Sequence, residues 1–95
     1  MKLLVFSVRD SKAEFYAPPF YARTVGEAVR IFADTANNPE SALNHHPVDF
    51  VLYHVGSFDQ ETGRFTAQDP IGYGAAAEHM PTGPFQAEIP LEVEA

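Results

Sequence analysis

Residues 24–37, TVGEAVRIFADTAN, decide the fold of this 95-residue chain. Thr24 has the side chain of an N-cap, and Glu27 stands three residues on, the spacing of a capping box. Val25, Ala28, Val29, Phe32 and Ala36 then recur at the spacing that gathers them on one face of a helix. Asn37-Asn38-Pro39 stops the run, because proline cannot donate the next helical hydrogen bond. The pattern predicts one principal amphipathic helix over 24–37, packed through Val29 and Phe32.

The flanks of this helix read as strands. In residues 2–9, Leu4, Phe6 and Val8 alternate with Leu3, Val5 and Ser7, with both faces apolar at the start, which predicts a central strand. Asp10-Ser11-Lys12 is a turn, and residues 13–17 are expected to return as a second strand that Pro18-Pro19 ends. Residues 40–47 read as a loop. Residues 50–58 alternate again, and Asp59-Gln60-Glu61-Thr62-Gly63 before Arg64-Phe65-Thr66-Ala67 predicts a hairpin whose turn takes its positive φ at Gly63. The fold class is α+β: a single antiparallel sheet of about four strands carrying one helix, in the order β-β-α-β-β. Residues 1–70 form this domain. Residues 71–95, rich in proline and glycine and acidic, are expected to be an irregular tail, with Phe85, Ile89, Leu91 and Val93 leaving room for a short last strand.

Composition narrows the function. The chain is 45% hydrophobic and 20% charged, as a globular domain is. A domain of this size buries only roughly 60–65% of its unfolded surface, so a homodimer that buries more is expected. There is no cysteine, hence no disulfide and no thiolate chemistry. The apolar run Leu3–Phe6 is too short for a signal peptide, and nothing approaches a membrane span; a reducing cytoplasm is the expected setting.

Catalysis finds little support. His45, His46, His54 and His79 show no metal-ligand spacing, so neither metal nor cofactor is expected. Asp59 and Glu61 sit in a turn, where carboxylates serve backbone N–H groups. The serines stand outside any nucleophile motif, and no glycine-rich phosphate loop is present.

The net charge of −7 is unevenly spread. Residues 1–32 hold five Lys and Arg against three carboxylates, whereas residues 65–95 hold five carboxylates and no Lys or Arg. Within the first third, Arg9, Lys12, Arg23 and Arg30 interleave with Phe15, Tyr16, Phe20 and Tyr21. Cations that track phosphates beside rings that stack on bases suit single-stranded nucleic acid. Arg9, Lys12, Tyr16, Tyr21, Arg23 and Arg30 are therefore the candidate contact residues. The competing reading makes Phe15 and Phe20 core, the tyrosines half-buried and the cations a solvated face.

Several segments together resemble a known family: Phe6-Ser7-Val8-Arg9-Asp10, Tyr16-Ala17-Pro18-Pro19-Phe20, Arg23 through Phe32, His46-Pro47-Val48-Asp49-Phe50-Val51-Leu52-Tyr53, and Gly56 through Gly63. In order and spacing the chain, over about residues 1–70, resembles the small nonstructural protein of gokushoviruses, microviruses with circular single-stranded DNA genomes. The resemblance implies a phage protein made in the bacterial host cytoplasm and absent from the mature capsid. That family is often labelled DNA-binding, or likened to the microvirus protein that turns replication toward single-strand synthesis and packaging. No site residue is carried over from it. The leading expectation is an accessory protein of genome replication or packaging that binds single-stranded DNA. The alternative is a protein–protein adaptor that docks on a replication initiator, a procapsid or a host factor.

Overall fold

The computed structural model describes residues 1–81. Five strands form one antiparallel sheet: β1 (Lys2–Asp10), β2 (Phe15–Tyr16), β3 (Phe20–Ala22), β4 (Phe50–Asp59) and β5 (Arg64–Ala75). Strands run in the order β2-β1-β4-β5, and β3 pairs with β1 on the same side as β2. The helix α1 (Val25–Ala36) covers one face, joined by a short helix α2 (Ala42–His45) and a 3₁₀ turn at Ala76–His79.

Helix α1 forms where the sequence places it, with Thr24 as N-cap and Asn37 as C-cap. The Thr24 hydroxyl accepts from the Glu27 N–H at 3.0 Å. The Glu27 carboxylate reaches back to the N–H of Arg23 at 2.7 Å, one residue beyond the N-cap. Ala28, Phe32 and Ala36 are fully buried, and Val25 and Val29 pack beside them. Beneath the helix lie Phe6, Leu52 and Ala22, also buried. Leu4, Phe6 and Val8 are the row of β1 that faces the helix.

Three expectations are corrected. The sheet has five strands rather than about four. Residues 13–17 were expected to form one strand, but Pro18-Pro19 divides the return into β2 and β3, each too short to cover β1 alone. Ser7, 3% exposed, donates its hydroxyl to the Ala17 carbonyl at 2.7 Å across the gap between them. The expected loop at 40–47 contains α2, whose cap is Ser41 accepting from the Asn44 N–H.

The boundary expected at residue 70 falls inside β5, which continues to Ala75. Pro70 is tolerated because the β4–β5 register shifts between His54 and Gly56, leaving residues 68–70 out of the regular ladder. Ala76 is then fully buried against the helix layer, so residues 71–79 belong to the packed body rather than to a tail. The rest of the expected acidic tail, residues 82–95, lies outside the described residues. Strand β5 is a sheet edge, and Pro70 with Gly72 and Gly74 blunts it against further pairing.

Two outcomes follow from the helix. Phe32 is 1% exposed, so Phe32→Ala should cost about 3–5 kcal/mol of unfolding free energy in urea denaturation. Glu27 is held below the ordinary carboxylate range, first by the backbone N–H of Arg23 and then by the Arg23 side chain. A lowered folded pKa means that this contribution is present above the unfolded pKa and is lost as pH falls through the folded one. A carboxyl-detected NMR titration should find Glu27 below its reference value of 4.5. Arg23→Ala should move it part of the way back, since the backbone donor remains.

Candidate nucleic-acid interface

The face of the sheet turned away from α1 is built from the other row of each strand. On β1 it carries Leu3, Val5, Ser7 and Arg9. Residues directly opposite one another on antiparallel strands project to the same side. Arg9 therefore shares its face with Tyr16 and Val51, Val5 with Tyr21, Ser7 with Tyr53, and Leu3 with Phe58. Phe58 lies opposite Phe65 across the hairpin.

The rings fall into two groups. Tyr16 and Tyr53 meet edge to face at 5.6 Å, and the Arg9 guanidinium lies 6.0 Å from the Tyr16 centroid. Phe58 contacts Phe65 at 4.7 Å and Tyr21 at 5.9 Å. Between the groups lie Val5, Pro19 and Val55. Tyr16, Tyr21 and Phe65 are 41%, 45% and 64% exposed, so ring area remains open to a ligand.

The six residues singled out from the sequence divide. Arg9, Tyr16 and Tyr21 come together on this face. Lys12 sits in the turn after β1 beside Asp10 and Asp49, at a shallow hollow on the helix side. Arg23 is paired with Glu27 at 3.2 Å. Arg30 is exposed on α1, in the layer across the sheet. Lys2 and Arg64 both stand opposite Asp59, in the row that faces away from Leu3 and Phe58. One of the six Lys and Arg of the chain thus belongs to the aromatic face.

Tyr53, Phe58 and Phe65 were missed from sequence. Phe65 was accessible, since the turn closing on Gly63 sets Asp59 against Arg64 and hence Phe58 against Phe65. Tyr53 and Phe58 are five residues apart, and regular alternation would put them on opposite faces. The β1–β4 register skips Val55, so Val5 pairs with Gly56 and Phe6 with His54. This bulge turns Phe58 onto the face of Tyr53.

Three of the four histidines are occupied by backbone. His45, His54 and His79 each place Nε2 within 2.9 Å of a carbonyl oxygen, those of Pro39, Gly56 and Tyr73. Among the described residues no three of His, Asp and Glu converge as metal ligands, and no helix is long and apolar enough to cross a membrane.

Comparison with known protein families gives a match. The model of the Phage ORF5 protein family fits residues 3–78, which takes in all of the sheet but the first residue of β1, both helices and nearly all of the 3₁₀ turn. No curated protein and no solved structure matches the chain. With most of its length matched from β1 through the 3₁₀ turn, the chain belongs to the Phage ORF5 protein family.

Proposed function

We propose that this protein is a phage accessory protein of genome replication or packaging that binds single-stranded DNA across the aromatic face of its sheet. The observation that carries the reading is the placing of five rings and Arg9 on one open sheet face. Unpaired bases have exposed π-faces, and stacking on such rings is worth about 1–3 kcal/mol per base. A duplex hides those faces, which favours the single strand. The two ring groups lie at opposite ends of β1, one near Arg9 and one near Leu3, so a strand laid along β1 would meet both.

The scatter of the cations changes how such binding would work. With Arg9 as the one basic residue on the face, stacking supplies the affinity and phosphate contacts add little. Two copies presenting two faces to one strand would gain avidity without new contacts, which makes a homodimer part of the proposal. No catalytic step is proposed.

A second reading has its own support. A nearly uncharged face rich in Tyr and Phe, on a chain of net charge −7, also suits a protein partner, such as a replication protein of phage or host. Titration of a fluorescent single-stranded oligonucleotide at two salt concentrations separates the two. The DNA reading expects a shallow salt dependence, near the slope of about −0.7 for one phosphate contact. Tyr16→Ala and Phe65→Ala should each weaken binding by about 1–3 kcal/mol with the slope unchanged. Arg23→Ala and Arg30→Ala should leave affinity as it is. No binding at low salt, or equal losses from Arg30→Ala and Tyr16→Ala, would remove this reading and leave the adaptor.

A further inference from the structure

On the helix side of the sheet, an apolar cavity of about 300 Å³ opens between α1 and the β1–β2 end of the sheet. Phe32 and Phe20 line it, with Val8, Leu43, Ile31 and Phe15. Ile31 is 42% and Phe15 61% exposed, a large apolar surface for a domain this small. Its polar neighbours are already served. The Asp10 carboxylate accepts from the N–H groups of Lys12 and Ala13, and the Thr35 hydroxyl donates to the Ile31 carbonyl. What would fill the cavity best is therefore aliphatic.

We propose that the cavity is the docking site of the chain's own C-terminal segment, residues 87–94. Ala87, Ile89, Leu91 and Val93 alternate there with Glu88, Pro90, Glu92 and Glu94, giving one apolar row and one largely acidic row. In an extended segment the first row enters the cavity and the second stays in water. The described chain ends on the correct side of the sheet. The 3₁₀ turn packs on α1, the His79 ring meets Phe32 at 5.6 Å, and Met80 packs on the cluster that contains Phe32. Phe32 thus lies between the last described turn and the cavity.

The connection is long enough. Five residues separate Pro81 from Ala87, and the six steps between them reach about 20 Å at ~3.3 Å each. The cavity begins at Phe32, which the His79 ring already meets, so the span to be bridged is short. The aromatic face is the weaker choice of site for this segment, because it lies across the sheet from the 3₁₀ turn.

The absence of cysteine allows a single spin label in the full chain at Ala95→Cys. Methyl-detected NMR should then show loss of peak intensity at Ile31, Leu43 and Val8, with Val51 and Val55 on the other face retained. Ile31→Asp, made in the labelled chain, should restore the Leu43 and Val8 signals while the spectrum stays that of a folded protein. The proposal is overturned by unbroadened cavity methyls, or by broadening confined to Val51 and Val55. It is equally overturned, in favour of a second copy, if broadening of an isotope-enriched unlabelled chain by added spin-labelled chain accounts for the whole effect. The result is independent of oligonucleotide binding, which uses the opposite face.

Discussion

The bulge at Val55-Gly56 in β4 is the constraint on which the two faces of the sheet depend. Strand β4 is central, held by β1 on one side and β5 on the other. One residue extra on a central strand reverses the facing of everything beyond it. Before the bulge, Leu52 and His54 look toward the helix; after it, Phe58 looks away. Glycine is required at 56 because a Cβ there would run into the Thr66 carbonyl of β5. His54 anchors the distortion, with its ring stacked on Phe6 at 4.9 Å and its Nε2 at the Gly56 carbonyl. Gln68 approaches His54 from the matching irregularity in β5.

The same geometry separates two kinds of binding chemistry that lie mixed in the sequence. Rings gather on one face because cross-strand partners project together. Cations do not gather, because each answers to a local demand. Arg23 serves the start of α1, Lys2 and Arg64 flank Asp59, and Arg30 keeps the solvent side of the helix polar. Long-range electrostatic attraction to a polyanion is therefore weak on a chain of net charge −7. Any nucleic-acid affinity has to come from short-range stacking, which depends on ring geometry more than on ionic strength.

The small core explains why the fold extends past its apparent end. Among the described residues, three large side chains, Phe6, Phe32 and Leu52, are fully buried. A core so limited gains from each further apolar contact, and residues 71–80 supply several: Ala76 fills the space beside α1, and Tyr73 and Met80 pack on the same cluster. Proline and glycine in this stretch signal irregular backbone, and they do produce register shifts and a positive φ at Gly74. Irregular backbone and absence from the core are different properties, and local composition reports the first alone.

Sequence by itself determined the elements whose causes are local. Helix α1 follows from Thr24, Glu27, the apolar stripe and Pro39. The β4–β5 hairpin follows from the alternation and from Gly63, whose φ of 74° a β-carbon would disfavour. The pairing of Phe58 with Phe65 was implicit in that turn. Tertiary structure alone decided the rest. The division of the β2–β3 return rests on how two prolines let short strands share one side of β1. Tyr53 and Phe58 share a face through a bulge fixed by the close approach of β4 and β5. Arg9 stays with the rings while Lys12, Arg23 and Arg30 leave them, because facing is set by strand register and helix position. Those are contacts between residues far apart in the chain, and no local period records them.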